Sequence, residues 1–199
     1  LGDCVPRCQY LPPTPLTPQG SWKLAGFVHS QPIGTTQDYK FDDDTESSIL
    51  KPDLDYQAPE CVFLNKYEVS SDAFSVGCLM YELFTKHKLL NCGGSVAKYK
   101  KSLENMFPLQ NLENCPEGLN EVLEQLLSPD PRKRLTIEVL IGSEFFNDIT
   151  IRVVQYLEKI KERDDRSKVE FLKGLRTAVS KFSAKTMMKL VLPPLLGQI

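Results

Sequence analysis

From Pro59 onward, apolar residues recur at helical spacing, and the pattern predicts one helix after another. Ser70 or Ser71 is placed to cap a helix running to about Thr85, with Asp72 in the first turn, where an acid favours the dipole. Ala73, Phe74, Val76, Cys78, Leu79, Met80, Leu83 and Phe84 fall on all sides of that helix. A helix apolar all round belongs in the middle of a domain. Asn91-Cys92-Gly93-Gly94 breaks the pattern, and Val96 to Phe107 forms the next helix. Pro116 opens another, with Leu119, Val122, Leu123, Leu126 and Leu127 along one face, and Pro129 and Pro131 end it. Thr136 to Ile141 makes a short helix, and Phe145-Phe146 follows as a pair of core aromatics.

The character changes after Asp148. Val153, Val154, Leu157 and Ile160 mark one amphipathic helix, and Val169, Phe171, Leu172, Leu175, Val179 and Phe182 a second. Met187, Met188, Leu190, Val191, Leu192, Leu195 and Leu196 mark a third, interrupted by Pro193-Pro194. Amphipathic helices joined by short polar links predict helical pairs of the solenoid type.

The chain before Pro59 reads differently. Pro6, Pro12, Pro13, Pro15 and Pro18 rule out a helix in the head, which is read as an extended or disordered segment. Leu16-Thr17 and Ser21-Trp22-Lys23-Leu24 flank the turn Pro18-Gln19-Gly20 and suit two short strands. Trp22 is a packing residue in that reading. His29 to Asp55 has no period, carries Asp42, Asp43, Asp44 and Glu46, and is read as a loop. Thr35, Thr36, Thr45, Ser47 and Ser48 lie in it, but the acidic neighbours would repel a phosphate rather than order it. Three regions result: residues 1–18, a proline-rich head or remnant loop; residues 19–148, a mainly helical domain; and residues 149–199, a helical extension.

Composition narrows the class. The 199 residues can bury a substantial core, and the net charge of −2 argues against a generally nucleic-acid-binding surface. No apolar run approaches the roughly 20 residues that span a bilayer, and the head lacks the marks of a signal peptide. Leucine at position 1 reads as the start of a fragment. Cys4, Cys8, Cys61, Cys78, Cys92 and Cys115 show no zinc spacing, and they are read as thiols of a reducing, cytosolic compartment. The two histidines have no metal spacing, and His87 is a surface residue at a helix end. There is no Gly-x-Ser-x-Gly elbow.

Four stretches carry the chemistry. Lys23-Leu24-Ala25-Gly26-Phe27-Val28 stands where a protein kinase carries Asp-Phe-Gly, and Tyr56-Gln57-Ala58-Pro59-Glu60 resembles the Ala-Pro-Glu motif closing an activation segment. Ser71 to Leu83 resembles the central helix of a kinase C-lobe, and Leu126 to Thr136 its closing segment. Gly26 has no carboxylate with which to hold magnesium, and Val28 replaces the motif's glycine. Counted back without gaps, the catalytic-loop aspartate and asparagine fall at Cys8 and Pro13, neither of which can serve as base or metal ligand. His-Arg-Asp, Gly-x-Gly-x-x-Gly and Val-Ala-x-Lys are missing. The kinase-like pattern implies that Glu60 and Arg134 form a buried ion pair and that Asp72 caps amides of the catalytic loop. These are structural roles, and no catalytic, cofactor-binding or metal-ligating residue is expected.

Trp22 to Phe27, the retained Ala-Pro-Glu, Phe145-Phe146-Asn147-Asp148, Arg163-Asp164-Asp165 and Phe171-Leu172-Lys173-Gly174-Leu175 together resemble the Scy-like family of pseudokinases. Within it the likeness is to the member associated with clathrin-coated vesicles. The resemblance implies a mainly α fold: a protein-kinase-like C-lobe without an N-lobe, followed by the start of HEAT-like repeats. It also implies a catalytically inactive scaffold in traffic between Golgi, endosomes and plasma membrane. Clathrin and adaptor proteins would be its partners, and it would be cytoplasmic and held peripherally on those membranes. The alternative is a fragment of a kinase that binds ATP and phosphorylates serine or threonine when full length; Gly26 discriminates, since a longer N-terminus would not restore the carboxylate. A blander third view is a truncated isoform that folds poorly.

Overall fold

The computed structural model describes residues 4–5, 31–32, 53–113 and 115–197, and within them the chain is mainly helical, as expected. It divides into two compact units, with the boundary in the described residues between Leu140 and Ile141. Two short strands, β1 (Cys4–Val5) and β2 (Gln31–Pro32), pair antiparallel with Cys4 opposite Pro32. The Cys4–Val5 strand agrees with the extended reading of the head, while Gln31–Pro32 corrects the reading of 29–55 as loop throughout, because extended backbone satisfies its hydrogen-bonding groups by pairing. The hairpin expected around Pro18-Gln19-Gly20 lies outside the described residues.

In the first unit a 3-10 turn at Leu54–Tyr56 leads into α1 (Pro59–Leu64), with Pro59 in its first turn. Helix α2 (Val69–Thr85) is the long element. Its N-cap is Glu68, two residues before Ser70 and three before Ser71, the expected caps, and Glu68 N–H donates to Ser71 Oγ at 3.2 Å. Ser71 is thus inside the first turn. The helix is not enclosed on all sides: Ala73, Phe74, Gly77, Cys78, Met80 and Tyr81 are buried, but Phe84 is 39% exposed.

Helix α3 (Val96–Glu104), capped by Ser95 Oγ, ends three residues earlier than predicted. Helix α4 (Leu119–Leu126) starts from Gly118 rather than Pro116. Gly118 has φ +80, which glycine adopts without strain, and Pro116 only accepts the Leu119 N–H in the turn before it. The predicted apolar face of α4 holds, with Leu119, Leu123, Leu126 and Leu127 fully buried. At Gly77 an added Cβ would lie 3.0 Å from Leu126 Cβ and 3.0 Å from Leu127 Cδ2, so α2 meets α4 almost backbone to backbone. Helix α5 (Ile137–Ile141) begins after Thr136, whose Oγ1 accepts from Val139 N–H.

The second unit contains α6 (Ile149–Glu158), α7 (Asp165–Ala178), α8 (Ala184–Thr186) and α9 (Leu192–Leu196). Its core is Val153, Leu157, Ile160, Leu175, Ala178 and Val191. Phe145 and Phe146 stack edge to face at 5.1 Å but are only half-buried, which corrects their placement in the core. Three residues read as part of the apolar face of α7 and its continuation, Val169, Leu172 and Val179, are exposed instead. Nor do Pro193-Pro194 interrupt the last helix. A π-helical turn at Met187–Val191 joins α8 to α9, and Leu192 N–H donates to Met187 O. Prolines lack the N–H and crowd the carbonyl four residues back, and the wider turn relieves that crowding so the chain stays helical.

Candidate functional site

The candidate site is the end of the activation-like segment, Asp53 to Glu60, which runs through the 3-10 turn into α1. Glu60 lies in the first turn of α1 and Arg134 follows the 3-10 turn Pro131–Lys133. Arg134 Nη1 donates to Glu60 Oε1 at 2.7 Å and Nη2 to Oε2 at 3.0 Å, the two-pronged geometry that a planar guanidinium favours. No charge is left uncompensated. Arg134 Nη1 also donates to Ser70 O, Nε and Nη2 donate to Ser128 O, and Ser71 Oγ donates to Glu60 Oε1 at 2.7 Å. The guanidinium lies 5.1 Å from the centre of the Phe74 ring. The expected Glu60–Arg134 pair is therefore present and buried, and it joins α1, the start of α2 and the segment after α4.

A second set of contacts holds the residues just before it. Asp55 is buried and accepts from Lys88 Nζ at 2.9 Å and from Cys92 N–H at 2.7 Å. Asp53 caps the 3-10 turn by accepting from Asp55 N–H and also meets Lys88 at 3.4 Å. Burial opposes the Lys88 charge, but the Asp55 and Asp53 carboxylates outweigh it and hold the ammonium above the ordinary lysine range. Tyr56 donates its hydroxyl to Glu82; burial and that carboxylate push the phenol well up. Tyr56 O accepts from Ser75 Oγ at 2.7 Å, and Gln57 O accepts from the fully buried Tyr99 hydroxyl at 2.8 Å.

Asp53 and Asp55 hold backbone amides, while Lys88 and Glu82 are engaged by the side chains of the same segment. Asp55, Lys88, Tyr99 and the Tyr56–Glu82 pair were not singled out from the sequence. Lys88 and Tyr99 stand 33 and 42 positions from their partners, so no local spacing announces them. The signal available was an acid directly before the Tyr-Gln-Ala-Pro-Glu run. Asp72 is half-buried in the first turn of α2, while the catalytic-loop positions expected beside it, Cys8 and Pro13, lie outside the described residues, as do Gly26, Phe27 and Val28. His87 is exposed just past α2, as expected, its N–H donating to Thr85 Oγ1.

Cys61, Cys78 and Cys92 are buried, and Cys115 is half-buried. Burial pushes the Cys78 thiol far up; burial together with the Asp55 carboxylate pushes Cys92 up to about 12. Neither carries the thiolate a nucleophile needs. The second unit has a cleft of about 320 Å³ lined by Ile151, Val154, Phe182, Lys181 and Ser183 among others. Its hydroxyls are engaged locally, Thr150 with Asp148 and Ser183 with Thr186, so the cleft presents no paired acid and base. No helix among the described residues is long and apolar enough to cross a membrane.

The protein kinase domain model matches residues 18–146. The protein kinase domain-containing protein ppk32 of Schizosaccharomyces pombe is 30% identical over 187 residues, covering 91% of this chain and 25% of the relative. SCY1-like protein 2 of Homo sapiens is 28% identical over 92% of this chain and 21% of its own length. The protein kinase-like protein SCY1 of Saccharomyces cerevisiae is 29% identical over 88% of this chain and 23% of its own length. The chain thus spans about a quarter of the length of these relatives. With the protein kinase domain model matching residues 18–146, most of this chain, and the buried Glu60–Arg134 clamp in place, the chain belongs to the SCY1-like family of protein-kinase-domain proteins.

Proposed function

We propose that this chain is part of a catalytically inactive kinase-like scaffold that works in clathrin- and adaptor-linked vesicle traffic between Golgi, endosomes and plasma membrane. The observation that carries the inactive reading is Gly26, which stands where phosphoryl transfer requires a metal-binding carboxylate. The clamp from Glu60 to Arg134 and the Asp55–Lys88 contact retain the architecture that presents a surface, while nothing in the Gly26 segment supplies metal chemistry. Its partners in this reading are proteins of the coated vesicle, clathrin and adaptors, which hold it peripherally on Golgi, endosomal or coated-vesicle membranes. The second unit is read as the first rung of a HEAT-type array, on the strength of its paired amphipathic helices.

The enzyme reading is tested on the full-length protein. ATP and magnesium are supplied with a generic Ser/Thr substrate, and phosphate transfer is measured beside a Gly26→Asp variant. The expected result is no transfer by the parent protein. Turnover by the parent, abolished by mutating a nucleotide-pocket lysine, would overturn the inactive reading in favour of a Ser/Thr kinase. The trafficking reading is tested separately, by asking whether isolated clathrin-coated vesicles carry the endogenous protein. Its absence from them would remove that assignment and leave the inactive fold untouched.

A further inference from the structure

Helix α7 turns its buried residues, Leu175 and Ala178, to the core of the second unit. At about 100° per residue, Leu172, Arg176, Val169 and Lys173 fall within roughly 100° of arc on the side away from that core, together with Asp165 in the first turn, which meets Lys168 at 3.8 Å. Val169 is 52% and Leu172 48% exposed, and both cations are exposed beside them. The same mixture continues along the next helical stretch, where Met188 is 67% exposed next to Lys189. Charge is concentrated here. From Lys168 to Leu196 there are six lysines and arginines and one acid, Glu170, in a chain whose net charge is −2. Of these cations only Lys168 has an ion pair among the described residues, a 3.8 Å contact with Asp165.

A face meant to be covered by another helix would not carry Arg176 between Leu172 and Val169 with Lys173 at its edge, since buried unpaired charge is costly. A face meant only for water has no use for adjacent exposed Val169 and Leu172. One surface suits both kinds of residue: an anionic bilayer, where long basic side chains meet the headgroups while short apolar ones sink to the acyl boundary. We propose that the outward face of α7, with Val169, Leu172, Lys173 and Arg176, docks the protein directly on membranes rich in anionic phospholipid. This contact is made by the chain itself, so it stands whether or not coat proteins are its partners.

The test is co-sedimentation of the intact protein with extruded vesicles of phosphatidylcholine, with and without phosphatidylserine. Binding is expected only when phosphatidylserine is present, and it should fade as salt shortens the screening length from about 10 Å at 0.1 M to about 3 Å at 1 M. Lys173→Glu with Arg176→Glu should weaken partitioning roughly tenfold or more, as the surface potential acts on each charge. Val169→Ser with Leu172→Ser should weaken it at unchanged salt sensitivity. Lys100→Glu with Lys101→Glu, on exposed positions of α3, should change little. The proposal is overturned by equal binding to both vesicles, by an α3 variant as impaired as the α7 variant, or by reversal of the α7 charges without effect. It is also overturned if the protein ignores vesicles and instead forms a dimer that the Val169/Leu172 variant abolishes. All these positions are exposed, and matching circular dichroism melts confirm that the variants stay folded.

Discussion

Arg134 grips both carboxylate oxygens of Glu60, 74 positions away in the chain, at 2.7 and 3.0 Å, and neither side chain is more than 5% exposed. Replacing Arg134 with methionine leaves the Glu60 carboxylate and the Ser70 and Ser128 carbonyls without their donor. Breaking one partner of such a buried pair is expected to cost about 3–5 kcal/mol, read as a lower denaturant midpoint. The double variant Glu60→Gln/Arg134→Met should recover part of that loss, because no charge remains buried alone.

Gly77 inverts the usual rule for glycine in a helix. Exchange for a larger residue in a helix interior ordinarily helps, but here the new Cβ meets Leu126 and Leu127 at 3.0 Å. Gly77→Val is expected to destabilise the first unit by roughly 1–3 kcal/mol through overpacking between α2 and α4. A thermal melt no lower than that of the parent would show that α4 can move aside.

Among the described residues, thiol reactivity separates the buried cysteines from the half-buried Cys115. At about pH 8 an alkylating reagent should label Cys115 before Cys78 or Cys92, whose thiols burial keeps protonated. Peptide mass mapping after a short exposure gives the order. Equal labelling of all three in the native state would mean that the first unit opens readily.

Acid should loosen the second unit at its helix starts. Asp148 accepts from the Thr150 hydroxyl and, at 2.7 Å, from the Thr150 N–H, and these bonds hold its carboxyl below the ordinary range. A carboxylate lowered by folding contributes stability that is complete above its unfolded value, near 3.9, and is lost as pH falls through the folded one. Asp148→Ala should therefore cost about 1 kcal/mol at neutral pH and progressively less below about pH 4, while Asp148→Asn should hold most of the cap at neutral pH and lose the pH dependence. Melting temperature against pH for the three proteins makes the comparison.

Much of the architecture was written in local order. The apolar stripe of α4, the long helix α2 and the helical character after Asp148 follow from residue spacing, because a 3.6-residue period places side chains on faces before any tertiary contact forms. The Glu60–Arg134 pair was legible through the motifs at either end. Helix limits were less so: α3 stops at Glu104, and α4 begins at Gly118 rather than Pro116. Both ends are set by capping and by a left-handed residue, which only the folded backbone fixes.

The sequence by itself determined that position 26 holds no carboxylate, since side-chain chemistry is independent of the fold. Tertiary structure alone decided which apolar residues become core. Val169 and Leu172 share the composition of Leu175, yet they face outward because α7 offers one side to α6 and can bury no more than that. It also decided that Asp55 is a buried anchor rather than part of an acidic loop. Its partners, Lys88 and Cys92, reach it only after α1 and α2 have turned the chain back, and burial then makes an otherwise ordinary surface acid dependent on that cation and amide.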